Sequence, residues 1–158
     1  LEIEGLNDSK KLTEKKRDKL FDLIKESAVS YGIAFASVEE IEELNILGAT
    51  YLAMNRAIAK LESAPALALI DGNRNTGIEC ESRTVVHGDA KCASIAAASI
   101  LAKVTRDRYM LEMAEKYPEY SFDKHKGYGT KAHYEALRQF GASPIHRMTF
   151  LKKFYGEK

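Results

Sequence analysis

The sequence has no apolar run long enough to cross a bilayer and no recognisable secretory signal, so a cytoplasmic protein without a membrane partner is expected. Cysteine is scarce: Cys80 and Cys92 are the only two, and their separation is not a metal-site spacing. Two thiols in a chain of this size fit a reducing compartment better than a disulfide framework. No group of His and Cys has zinc-site spacing. No internal repeat, low-complexity tract or Pro/Gly-rich linker divides the chain, and 158 residues suit one domain. Net charge is only +1, so total charge announces no nucleic-acid partner.

What is present reads as a soluble globular protein, 45% hydrophobic and 30% charged. Thr13 to Ala28 has helical periodicity, with Thr13 as N-cap and Leu20, Phe21, Leu23 and Ile24 for the core. "SYGIAFASV" (30–38) alternates like a strand. Ser37 and Glu40 have capping-box spacing and start a short helix. A longer helical pattern, Asn45 to Glu62, puts Leu47, Tyr51, Met54, Ile58 and Leu61 on one face. "PALALIDG" (65–72) is nearly all apolar, as in a parallel strand buried on both faces, and "RTVVHG" (83–88) is a second short strand. Helices follow near Cys92–Lys116, Lys131–Phe140 and Met148–Tyr155. Strands mixed with helices point to an α/β architecture.

Two carboxylates stand out. Asp71 ends an apolar strand, where open α/β sheets gather their ligands, although an Asp-Gly pair is also ordinary turn chemistry. Asp89 stands in "VVHGDAKCASIAAASILAKVTRD" (85–107), ahead of a helix of small residues, where an acid also complements the helix dipole. Two carboxylates aimed at one point need a cation, and Mg²⁺ or Mn²⁺ suits hard oxygen donors. Ala93, Ala96, Ala97, Ala98 and Ala102 would let that helix lie close to the sheet and hold Asp89 rigidly. "FDKHKGYGT" (122–130) combines Lys124, His125 and Lys126 with Tyr128: cations for phosphates, an aromatic for stacking. "NDSKKL" (7–12) and "SPIHRM" (143–148) add Ser9, Lys10, Lys11, His146 and Arg147.

Together with "LNILGATYLAMNRA" (44–57) and in this order, these blocks resemble ribonuclease HII, the type 2 ribonuclease H family, over essentially the whole chain. The resemblance implies a ribonuclease H-like fold, a mixed central sheet flanked by helices, with a helical C-terminal part from about residue 108 to 158. It implies a monomeric endonuclease that hydrolyses the RNA strand of RNA/DNA hybrids and cuts 5′ to ribonucleotides in duplex DNA. The expected ends are 5′-phosphate and 3′-hydroxyl, and the expected cofactor is Mg²⁺ or Mn²⁺ in a two-metal mechanism. Of the family's four metal-binding acids, the third and fourth match Asp71 and Asp89. The tyrosine that stacks on the ribose at an RNA–DNA junction matches Tyr128, within the block that also holds Lys126. Ser9, Lys10 and Lys11 match backbone-binding positions, and His146 and Arg147 match the C-terminal block.

One block is missing. The family's Asp-Glu-x-Gly-Arg-Gly motif, which carries the first two acids, occurs nowhere in the sequence, and the spacing of Glu79, Glu81 and Asp123 does not support them as replacements. The chain begins "LEIEGLNDSKKL" with no Met, and the expectation is a truncated form that does not cut alone. The competing expectations are another metal-dependent nuclease on the same fold, or a module that binds hybrids without cleaving them.

Overall fold

A computed structural model describes residues 3–156. Helix α1 spans Glu14–Ser27, and Thr13 caps it as expected, its hydroxyl accepting from Lys16 N at 3.3 Å. Leu20, Phe21 and Ile24 are buried, whereas Leu23 lies at the edge of that stripe and is exposed.

Helix α2 spans Val38–Ala59 and breaks at Asn45, whose φ of 60° and ψ of 174° are not helical. This reproduces the two helical patterns of the sequence. The capping box is complete: Glu40 N donates to the Ser37 hydroxyl at 3.2 Å, and Ser37 N donates to the Glu40 carboxylate at 2.8 Å. Asn45 caps the second stretch, its side-chain oxygen accepting from Leu47 N and Gly48 N. The expected apolar face is only partly right, since Tyr51 is buried but Leu47 is exposed.

The strand expected at residues 30–38 does not form. Residues 30–37 are irregular and lie along α2, which supplies side chains in place of a neighbouring strand. Lys60 Nζ donates to the Ile33 carbonyl at 2.6 Å and Arg56 Nη1 to the Phe35 carbonyl at 3.0 Å. Gly32 sits so near the Ala57 carbonyl that a Cβ would lie 2.0 Å from its oxygen.

Strands β1 (Ala68–Asp71) and β2 (Ser82–Val85) pair in parallel, with Asp71 opposite Val85. The loop between them is clamped by α2: Asn55 donates to the Gly77 carbonyl at 2.8 Å and accepts from Glu79 N at 3.1 Å. The expectation that β1 is buried on both faces is corrected. Ile70 is buried, but Leu69 on the other face is exposed, because β1 and β2 are the only strands among the described residues.

A short helix α3 (Gly88–Lys91) leads into α4 (Ala93–Lys116), the spine of the molecule. One apolar core lies between α1 and the first half of α4, built from Leu20, Phe21, Ile24, Ala97, Ile100, Leu101 and Val104. Ile100 and Ile24 are almost fully enclosed, and burial of such a side chain stabilises by about 1.5–3 kcal/mol. A second core joins Met110 of α4 to the C-terminal elements α5 (Phe122–His125), α6 (Lys131–Phe140) and α7 (Lys152–Tyr155), through Tyr120, Phe122, Ala136, Leu137 and Leu151. Of the small residues expected against the sheet, Ala96 and Ala97 are buried and Ala97 packs against α1; Ala93, Ala98 and Ala102 are exposed.

Candidate active site and nucleic-acid interface

Asp71 and Asp89 come to the same end of the parallel pair. Asp71 is the last residue of β1, and Asp89 follows β2 by one turn of chain. The Asp71 carboxylate does not cap its own turn. Its Oδ1 reaches across to accept from Gly88 N at 2.8 Å, directly beside Asp89. Gly88 makes this approach possible: a Cβ there would lie 2.5 Å from Ile95 Cδ1 and 3.4 Å from Asp71 Oδ1. The preceding residue, His87, takes a left-handed conformation, φ 55°, uncommon for a residue with a side chain. Gly72, at φ +116°, turns the chain away on the other side.

Among the described residues, neither carboxylate has an ion-pair partner, and Asp89 accepts no hydrogen bond. Two hard, uncompensated donors on the rim of a sheet fit Mg²⁺ or Mn²⁺, because a small divalent ion takes one or two carboxylates and completes its shell with water and substrate phosphate. No group of three or more His, Cys, Asp or Glu side chains among the described residues is placed to hold a metal. Both cysteines are free thiols.

Helix α4 carries the other expected contacts along one face. Ser99 Oγ lies 3.0 Å from Ser9 Oγ, and one turn later Lys103 Nζ lies 5.9 Å from the centre of the Tyr128 ring. Lys103 is itself held by Asp107 at 2.8 Å. Ser9 is buried, with its hydroxyl turned to Ser99, so it anchors the 8–12 segment to α4, while Lys10 and Lys11 remain exposed. Lys126 Nζ folds back onto the Asp123 carbonyl at 2.6 Å.

The Tyr128 ring is 66% exposed, yet its backbone is tightly held. Its N–H donates to the His125 carbonyl, and its own carbonyl accepts from Thr130 N, each at 2.9 Å. His133 Nδ1 lies 2.9 Å from that same carbonyl. His133 went unnoticed in the sequence because it looks like an ordinary residue of α6. The available signal was that three of the four histidines, His125, His133 and His146, lie close together in the chain.

His146 does not present a free ring nitrogen. Nδ1 is engaged by Ser143 and Nε2 lies 2.8 Å from His133 Nε2, which argues against direct contact with nucleic acid. Arg147 stacks on Phe150 at 4.5 Å and lines a cleft of about 1360 Å³ between the 35–41 segment and the C-terminal elements. Neither Asp71 nor Asp89 lines this cleft.

Burial, with the neighbouring His133 ring as a lesser cause, pushes the His146 imidazole down to about 4, and burial lowers His125 as well. The unfolded chain therefore binds more protons than the folded one between about pH 4 and the ordinary histidine value of about 6.5. Stability is full above that window and is lost as pH falls through it. The melting temperature should drop by about 5 °C between pH 7 and pH 5. A calorimetric series in which His146→Gln retained the same slope would contradict this.

Residues 1–153 match the family model described as Ribonuclease HII. The ribonuclease HII of Endomicrobium trichonymphae is 60% identical over 149 residues, covering 94% of this chain and 71% of that protein. The ribonuclease HII of Clostridioides difficile (strain 630) is 57% identical over 150 residues, covering 95% of this chain and 59% of that protein. The crystal structure of the ribonuclease H2 from Pyrococcus horikoshii OT3 superposes with a TM-score of 0.78 at 26% identity, covering 97% of this chain and 80% of that one. No helix among the described residues is long and apolar enough to cross a membrane. With an α/β fold that superposes on a ribonuclease H2 and a family match over almost its whole length, the chain belongs to the ribonuclease HII family.

Proposed function

We propose that this chain is the larger part of a ribonuclease H endoribonuclease, which hydrolyses the RNA strand of RNA/DNA hybrids and incises duplex DNA on the 5′ side of an embedded ribonucleotide. The observation that carries this reading is the Asp71–Gly88 hydrogen bond of 2.8 Å, which ties the two acids to one end of the strand pair. Family membership supports the substrate class.

Asp71 and Asp89 would hold divalent ions, Mg²⁺ or Mn²⁺. Such ions, when bound, supply an activated water and neutralise charge on the phosphate and the leaving 3′-oxygen. The Gly88 amide engages Asp71 Oδ1, and Oδ2, which accepts no hydrogen bond among the described residues, would be available to such an ion. Lys10 and Lys11 would neutralise substrate phosphates, and Tyr128 would present its ring to the ribose at the junction. The chain has two of the four acids the family uses, so cleavage needs an Asp-Glu-x-Gly-Arg-Gly segment as well. Alone, the chain is expected to bind hybrids without turnover, as a single domain, a monomer and a cytoplasmic protein. The continuity of α4 through both cores supports the single domain, and the free thiols support a reducing compartment.

The test is a cleavage panel of RNA/DNA, RNA/RNA, DNA/DNA and single-ribonucleotide duplexes, using the chain joined to that segment from a family member. Cutting of RNA/RNA as readily as the hybrid would favour a different nuclease. Within this reading, Tyr128→Ala should lower the preference for a single-ribonucleotide duplex over all-DNA by about tenfold, since a stacking contact is worth about 1–3 kcal/mol. Competition binding measures that ratio, and an unchanged value would remove Tyr128 from the interface.

A further inference from the structure

Behind Tyr128 runs a chain of hydrogen bonds whose direction is set at both ends. Ser143 N–H is a donor, so His146 Nδ1, 2.9 Å away, accepts. The Ser143 hydroxyl lies 2.7 Å from the same nitrogen. The proton of neutral His146 is then on Nε2, which donates to His133 Nε2 at 2.8 Å. With its Nε2 accepting, His133 carries its proton on Nδ1 and donates it to the Tyr128 carbonyl at 2.9 Å. A carbonyl only accepts, so the far end agrees with the near one.

The chain lies in the wall of the cleft that Arg147 also lines, with His146 half-buried. Ser143 and His133 are buried, and Phe122 meets the His133 ring edge-on at 5.8 Å. The His125 ring stacks on His133, with centroids 4.2 Å apart and planes 9° apart. His125 has one tautomer for the same reason: Gly127 N–H donates to its Nδ1 at 3.1 Å, and its Nε2 donates to the Tyr120 carbonyl at 2.5 Å. A second proton on His146 or His133 would set donor against donor. The ring nitrogens are all used inside the cluster, so it is built neither to bind a metal nor to touch a ligand.

We propose that His133, backed by His146 and Ser143, is the positioning residue that fixes the Tyr128 backbone and so sets the angle at which the exposed ring meets the nucleic acid. This rests on the interface reading of Tyr128 given above. A loop rich in glycine would otherwise let that ring swing, and a stacking contact that selects one sugar needs a fixed platform.

The isosteres of histidine separate the two halves of this chain. His133→Asn places an amide N–H where Nδ1 stood and keeps the bond to Tyr128. His133→Gln reaches towards His146 and gives up the bond to Tyr128. Both variants of the 158-residue chain, together with Tyr128→Ala, would be titrated with a single-ribonucleotide duplex and with all-DNA. The binding ratio should stay within about threefold of wild type in His133→Asn and fall about tenfold in His133→Gln, as in Tyr128→Ala. If Tyr128→Ala lowers the ratio and His133→Gln does not, the positioning role alone is overturned. If Tyr128→Ala leaves the ratio unchanged, the interface reading is overturned and the proposal falls with it. A long-range ¹H–¹⁵N imidazole spectrum of the wild-type chain at pH 7 tests the bond pattern without any variant. Expected are the Nδ1–H form of His133 and the Nε2–H form of His146; a His133 ring carrying its proton on Nε2 would overturn the proposal outright.

Discussion

Replacing Asp71 by Asn should slow hybrid cleavage by about 10²–10³-fold, in the chain joined to the Asp-Glu-x-Gly-Arg-Gly segment, with duplex affinity nearly unchanged. The size follows from what a metal site contributes, several kcal/mol of transition-state charge stabilisation, at about 1.4 kcal/mol per tenfold in rate. Asn keeps the size of the side chain, and its amide oxygen can still accept from Gly88 N, so the loop after β2 should stay in place. What is lost is the negative charge that would hold the ion. Asp89→Asn should behave the same way, since Asp89 accepts no hydrogen bond among the described residues and is free for a ligand role. Single-turnover rates with RNA/DNA, beside binding in the absence of metal, separate the two effects. A variant whose rate stays within threefold of wild type would show that its carboxylate is a structural acid of the strand–helix junction.

The largest loss of stability is expected from Phe122→Ala. Phe122 is 1% exposed and central to the second core. Its ring stacks on Tyr120 at 5.3 Å and meets His125 and His133 edge-on. Truncation removes these contacts and leaves a cavity, at a cost of about 3–5 kcal/mol. In a chain of this length that is a large part of the total stability. Because Phe122 touches two rings of the histidine cluster, the Tyr128 loop should loosen as well. Urea denaturation measures the first effect, and amide exchange at Gly127 to Thr130 the second. A loss under about 1 kcal/mol would mean that the core collapses onto the gap.

Local signals in the sequence are most legible where the answer is itself local. The Thr13 cap, the Ser37–Glu40 box and helix α6 depend on neighbours within a turn or two, and they form as expected. The 30–38 segment shows the limit. Its alternation is strand-like, but whether a strand forms depends on a partner, and here Arg56 and Lys60 from α2 take the carbonyls. The alanines of α4 are legible only in part: α4 does touch β1, but not every alanine is buried. Small residues say that something can come close to the helix, not on which side, and α1 takes the Ala97 face. For the site, strand ends and acids were legible, so Asp71 and Asp89 could be named, but the bond from Asp71 to Gly88 needed the fold. The sequence groups His146 with Arg147 as a nucleic-acid-binding position. Only the fold shows that its ring is occupied by Ser143 and His133.

The most direct measurement is the position of the cut in a DNA duplex containing one ribonucleotide, with Mg²⁺ present, for the chain joined to an Asp-Glu-x-Gly-Arg-Gly segment from a family member. Asp71→Asn and the 158-residue chain alone serve as companions. The account predicts one cut on the 5′ side of the ribonucleotide, leaving 3′-hydroxyl and 5′-phosphate ends, from the extended protein only. Equal cutting of all-DNA duplex, or the same cut from Asp71→Asn, would contradict it.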